Sequence, residues 1–214
     1  MHDVTKIVLS IVPLLFAIIL HEVSHGWVAE KLGDPTARIL GRITLNPISH
    51  IDPIGTIIVP GILLLTGSHF LFGWAKPVPV NFANLRGGRR DMALVAFCGP
   101  LSNFLLAVLS SIVFHLTFGG VTGPVGISDR IITPIHIMAN YSVLFNLVLM
   151  VINLLPILPL DGGRIVAGLA PVHIAMSMER MERYGMLIVL LLIASGIWSY
   201  VVSPVIYIFW RLLM

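Results

Sequence analysis

The sequence predicts an all-α multi-pass membrane protein, with about four to six transmembrane or re-entrant helices and a small extended or β element. Three observations predict it. Of the 214 residues, 57% are hydrophobic and 11% charged, with mean hydropathy +0.98; soluble domains carry about 25% charged residues. Five apolar stretches, 7–32, 54–72, 92–118, 134–160 and 186–213, are each rich enough to be tested against a hydrocarbon layer about 30 Å thick. The basic residues fall between these stretches, where charge sets topology. No polar, Ser/Pro-rich linker divides the chain, so residues 1–214 read as a single integral membrane domain.

The first stretch is preceded only by Lys6, is followed by no small-residue cleavage site, and runs directly into "HEVSH". It is read as a retained helix and not as a removed leader. The second carries Pro60-Gly61 and Gly67 and ends in "FLFGWAKPVPVN", where Val78 and Val80 alternate with prolines. That is the pattern of an extended or edge-strand segment, and it supplies the small non-helical element. Stretches 92–118, 134–160 and 186–213 are read as crossings. Before the last, "APVHIAMSMERMERYG" sets Glu179, Arg180, Glu182 and Arg183 among methionines and reads as a short interfacial helix.

Positive charge discriminates between topologies. If all five stretches cross once, Lys and Arg divide 8 to 5 between the two faces. If 54–72 dips in and returns, Lys31, Arg38, Arg42, Lys76, Arg86, Arg89, Arg90, Arg164, Arg180 and Arg183 share one face. Only Lys6, Arg130 and Arg211 then remain opposite, a 10-to-3 division. Such a bias marks a cytoplasmic face. The expectation is therefore four crossings plus one re-entrant hairpin, with the N-terminus outside the cytoplasm. The net charge of +3 and pI near 9.4 come from these topology-setting residues and not from an aromatic-interleaved basic surface, so no nucleic-acid partner is expected. The single cysteine, Cys98, cannot form an internal disulfide and is read as a small packing residue.

Chemistry enters with "IILHEVSHGWVAEKL" at 18–32. Ionisable groups inside an apolar helix are costly and mark function. His21 and His25 differ by about 40° around a helix and share a face, with Glu22 beside them. H-E-x-x-H in this setting supplies two zinc ligands and a general base. A catalytic zinc site takes three protein ligands, yet no third histidine follows His25. Glu30 lies about 180° around the helix from His21 and is rejected.

The third-ligand candidate is Asp161 in "NLLPILPLDGGRI". Pro156 and Pro159 break the helix and Gly162-Gly163 permit unusual backbone, a break tolerated where it lines a protein cavity. Asp161 alone would read as a helix N-cap; beside an incomplete two-histidine site it reads as a ligand. Asn153 is a candidate for contacting a substrate carbonyl, against the alternative of a bond to a neighbouring helix. His50 and Asp52 are read as turn and capping residues and not as a second metal pair. His69, His115, His136 and His173 occur singly and receive no ligand role.

"HEVSH" on an apolar helix, "GPLSN" at 99–103 and "NLLPILPLDGG" together resemble the site-2 proteases, zinc-dependent intramembrane proteases; "GRITLNPISHIDPIG" with "GWAKPVPVN" resembles their compact prokaryotic subgroup. The resemblance implies one zinc ion (Zn2+) per chain on His21, His25 and Asp161, Glu22 as base and Asn153 as helper at the substrate carbonyl. It implies a multi-pass protein of the cell (inner) membrane, in contact with the lipid bilayer, its site open toward the cytoplasm. Substrates would be membrane proteins with a single transmembrane helix, often trimmed first by another protease. The alternative is a membrane metal-binding or metal-transport protein without proteolytic activity. A di-iron membrane oxidase would need more histidine clusters than this chain has.

Overall fold

The computed structural model describes residues 2–67, 73–121 and 127–214; His69 and the end of the 54–72 stretch lie outside the described residues. The long helices are α1 (His2–Lys31), α4 (Arg89–Val121) and α5 (Ile127–Asn153). Within them Thr5–Lys31, Arg89–Phe118 and Arg130–Asn153 are long and apolar enough to cross a membrane. Ile11 and Phe16 on α1 and Leu101, Leu105 and Leu109 on α4 are exposed. An apolar surface of this extent belongs against lipid and not water.

Helix α4 lies at the centre, packed on α1, α5 and α6 (Asp161–Leu169). Its Ala107 is fully buried with Val143, Leu147, Met150 and Val151 of α5 and with Val202 of α8 (Ile197–Leu213). Between α4 and α5 the Ser110 hydroxyl donates to Ser142 Oγ at 2.7 Å, the kind of small polar contact that joins helices without disturbing an apolar interface.

The connection after α1 holds one turn of α-helix (α2, Thr36–Ile39), a 3₁₀ turn at Pro47–His50 and a π-helical turn at Pro53–Ile58 that leads into α3 (Val59–Leu65). The chain then runs without helix from Gly73 to Val80. No strand ladder occurs among the described residues. Instead, the N–H groups of Trp74 and Lys76 donate to Gly55 O at 3.1 Å and His50 O at 2.9 Å, and the Arg42 guanidinium donates to Lys76 O at 2.9 Å.

Two apolar stretches are interrupted, the first as Pro156 and Pro159 led one to expect and the second not. Helix α5 stops at Asn153 and the helical path resumes at Asp161, so the 134–160 stretch ends in the break that its prolines dictate. The 186–213 stretch is not one helix. Gly196 adopts φ +75°, the left-handed conformation that ends helices, and separates α7 (Val172–Ala194) from α8. The charged 170–185 segment is thus continuous with the first part of the apolar stretch. Helix α8 lies alongside α4 in the same direction, with Phe209 against Phe104 at 6.2 Å between ring centroids and Leu213 O accepting from Ser111 Oγ and, at 3.0 Å, His115 Nε2.

Candidate metal centre

Helices α1 and α4 run antiparallel, and the His21-x3-His25 face of α1 meets a one-per-turn series on α4: Val95, Gly99 and Asn103. The approach is closest at Gly99. A Cβ there would overlap His25 Nε2 and come within 2.7 Å of His21 Cε1. Glycine is the only residue that leaves room for both imidazoles.

The third group comes from α6. Asp161 Oδ2 lies 3.1 Å from His21 Nε2 and 3.4 Å from His25 Nε2, and the two Nε2 atoms are 3.1 Å apart. Side chains 140 positions apart in sequence therefore meet at one point, within 4.8 Å of one another. Asp161 does not cap α6. The N-cap is Leu160, without a side-chain cap bond, and Asp161 Oδ2 is buried with no hydrogen-bond partner. Its position depends on glycine, since a Cβ at Gly162 would overlap Leu154 O and one at Gly163 would overlap Leu158 N. From the other end of α6 the Arg89 guanidinium donates to Ala167 O and, at 2.6 Å, to Ala170 O, satisfying carbonyls that a helix end leaves free.

The partners of the outer imidazole nitrogens fix the tautomers. His25 Nδ1 is 2.8 Å from Val95 O, which can only accept, so Nδ1 carries the proton. His21 Nδ1 is 2.7 Å from Asn103 Oδ1. The Asn103 amide nitrogen donates to Ala17 O and to Asn146 Oδ1, at 3.0 and 2.8 Å, which turns its oxygen toward the imidazole. Both rings thus turn Nε2 toward Asp161 Oδ2, at 3.1 and 3.4 Å. With Nδ1 protonated, each Nε2 can offer a lone pair to a cation at that point, and nitrogen, nitrogen and oxygen ligands suit zinc. The residues present fit the ion.

Glu22 is next to His21, half-buried, and the Val78 N–H donates to its Oε2 at 2.7 Å. Val78 also packs over Gly26, where a Cβ would meet Val78 Cγ1 at 2.8 Å. The extended segment 73–80 therefore lies directly against the motif helix. Its far end is tied down by Asp34, fully buried, which accepts from Asn81 N at 2.7 Å, Asn84 Nδ2 at 2.9 Å and the Thr36 hydroxyl. Burial alone would raise this carboxyl. The Thr36 hydroxyl, the Asn84 amide and the Asn81 and Thr36 N–H groups outweigh it and hold Asp34 below its ordinary value.

Asn153 ends α5, with its amide nitrogen donating to Leu149 O at 3.0 Å; this bond points along its own helix and not toward the imidazoles. Asp52 caps the turn that follows it, Oδ1 accepting from Ile54 N at 3.0 Å and Gly55 N at 2.7 Å. His50 is buried with Nε2 against Thr44 O at 2.8 Å. Among the described residues His21, His25 and Asp161 are the one cluster of three potential ligands. Glu30 points elsewhere and pairs with Arg38. Cys98 lies behind the centre, its thiol donating to Val95 O at 2.8 Å. The residues that sequence reasoning left without a role are Gly99, Asn103 and Val78. The signal for the first two was spacing: "GPLSN" sets Gly99 and Asn103 one helical turn apart, as His21 and His25 are.

An apolar helical bundle carrying a buried two-histidine, one-carboxylate centre, with a glutamate beside the first histidine, defines a membrane-embedded metallohydrolase. The family model described as peptidase family M50 matches residues 9–196, and the chain belongs to that family, the site-2 proteases. YwhC of Bacillus subtilis (strain 168), named as a candidate zinc metalloprotease, is 37% identical over 91% of this chain and 84% of its own length. Rip2 of Mycolicibacterium smegmatis, named likewise, is 26% identical over 88% of this chain and 67% of its own. Rip2 of Mycobacterium tuberculosis (strain H37Rv) is 31% identical over 72% of this chain and 54% of its own. No solved structure matches the chain significantly. The protein is a zinc-dependent intramembrane protease.

Proposed function

We propose that His21, His25 and Asp161 hold the zinc, that Glu22 is the general base, and that Asn153 helps hold the substrate carbonyl. The observation that carries this reading is the convergence of three potential ligand atoms, from His21, His25 and Asp161, within 4.8 Å of one another. Bound zinc supplies Lewis acidity and lowers the pKa of water. Glu22 would take up a proton at its carboxylate during attack by water and return it to the leaving amine. Its Oε2 is anchored by the Val78 N–H, which leaves Oε1 for proton transfer. Asn153 ends α5 just ahead of the turn that carries Asp161, where an amide donor could meet a developing oxyanion.

Residues 1–214 form, in this reading, one membrane domain with four crossings, α1, α4, α5 and α8, and a re-entrant element at 53–65. The 10-to-3 division of Lys and Arg supports it, as does the shared direction of α4 and α8. The site faces the cytoplasm of an inner-membrane protein, and a reporter fused after Met1 would lie outside. Substrates are single transmembrane helices, unwound locally to reach the centre and already shortened by another protease. Addition of a substrate strand along 76–79 is restricted, because Lys76 and Val78 direct their N–H groups inward and Pro77 and Pro79 have none. Backbone pairing there would rest on carbonyls.

The test is zinc content together with cleavage of a panel of single-span substrates by reconstituted native protein and Glu22→Gln. Zinc retained with cleavage abolished in the variant is expected. Full activity in Glu22→Gln would refute the base assignment, and zinc flux into liposomes without cleavage would favour transport.

A further inference from the structure

Asn103 is completely buried within α4, and three hydrogen bonds fix its amide. Both of its N–H groups face acceptors, Ala17 O at 3.0 Å on α1 and Asn146 Oδ1 at 2.8 Å on α5. Asn146 is itself fully buried and fixed in turn, its amide nitrogen donating to Ser142 O at 2.8 Å and Ser142 Oγ at 3.2 Å. Ser110 Oγ then donates to Ser142 Oγ at 2.7 Å. A continuous polar thread therefore runs Ser110, Ser142, Asn146, Asn103, His21 through an otherwise apolar interior. It leaves Asn103 Oδ1 one direction to face: the Nδ1–H of His21, at 2.7 Å.

We infer that Asn103 is a positioning residue of the metal centre: its amide oxygen holds His21 as the Nδ1–H tautomer and aims the Nε2 lone pair at the point shared with His25 Nε2 and Asp161 Oδ2. The inference rests on the metal-site reading above and goes beyond it. Ligand imidazoles are oriented by the group that accepts from their second nitrogen. His25 uses a backbone carbonyl, Val95 O, which no side-chain substitution removes. His21 relies on a side chain. An amide suits the place better than a carboxylate, because it accepts the bond without adding a buried charge in the membrane. Gly99 and Asn103 thus act as a pair opposite His21 and His25: Gly99 makes room for the rings and Asn103 orients one of them.

A purely structural role, in which Asn103 only ties helices together, is separable. Asn146→Leu breaks the inter-helix amide bond but leaves Asn103 Oδ1 facing His21, held by Ala17 O. Asn103→Leu removes the acceptor itself. Zinc dissociation constants by chelator competition, Co2+ electronic spectra and melting curves of the metal-free proteins decide. Expected for Asn103→Leu is zinc binding weaker by about 10- to 100-fold, with altered Co2+ bands. Asn146→Leu is expected to lower the melting temperature comparably while binding zinc within about threefold of native, and Asn103→Asp, which still accepts from Nδ1–H, to do the same. Native affinity in Asn103→Leu, or equal losses in Asn103→Leu and Asn146→Leu, would overturn the inference. If Asn103→Leu does not fold, Asn103→Asp decides, and a tenfold loss there would overturn it. Native protein that takes up no zinc would instead overturn the metal-site reading on which this one stands.

Discussion

The carboxylate of Glu22 is held by the backbone N–H of Val78 at 2.7 Å, across 56 residues of sequence. Val78 lies between Pro77 and Pro79, so it is the only residue of that triplet with an N–H to give. The extended segment and the motif helix are thus joined at the proposed base.

Val78→Pro removes that donor, and Val78→Ala serves as the control for lost packing on Gly26. A hydrogen bond to a charged group contributes about 1.5–3 kcal/mol, so Val78→Pro is expected to lower kcat roughly 10- to 100-fold. Zinc content should stay native. Steady-state cleavage of a reconstituted substrate, measured beside Val78→Ala, checks it; equal rates in the two variants would remove the role of the N–H.

Gly99→Ala places a methyl group where the imidazoles lie. Overpacking of this kind costs about 1–3 kcal/mol, and here the rings must give way because α4 backbone cannot. Lost or severely weakened zinc binding is the expected outcome, with the helical content of the circular dichroism spectrum preserved. Native zinc affinity would show that α1 and α4 are farther apart than described.

Gly185→Ala tests the support of Asp161 from behind. A Cβ at Gly185 would overlap Leu158 O, in the turn that precedes Asp161. The variant is expected to lower the melting temperature and weaken zinc binding together, since the same turn carries both effects. A change in melting temperature alone would uncouple α7 from the centre.

Asp34 makes a prediction in pH. Its folded-state pKa lies below the ordinary 3.8, so its contribution to stability is complete above the unfolded value and is lost as pH falls through the folded one. Asp34→Asn leaves a buried N–H without its charged acceptor and is expected to cost about 1–3 kcal/mol near neutrality. The native protein should lose more stability than Asp34→Asn on acidification below about pH 4. Parallel melting curves across that range would contradict the assignment.

The helices and the residues that cluster as His21, His25 and Asp161 were legible because each leaves a periodic or compositional mark. Apolar stretches longer than a bilayer gave the three long helices, and His21, His25 and Asp161 each stood out as a charged or metal-binding group in apolar surroundings. The break at Gly196 was not legible: one glycine within an apolar run reads as a tolerated small residue until its φ of +75° is known. Asn103 also escaped, because a buried asparagine looks the same in sequence whether it joins helices or orients an imidazole. Glu22 and Val78 meet only in three dimensions, and nothing in "PVPV" marks one N–H as special.

The most direct measurement is the zinc dissociation constant of Asp161→Ala beside that of the native protein, with His21→Ala as reference. One zinc per native chain and a large, comparable loss of affinity in both variants are expected. Native affinity in Asp161→Ala alone would contradict this, because the ion would then be held without the carboxylate that α6 brings to the two histidines.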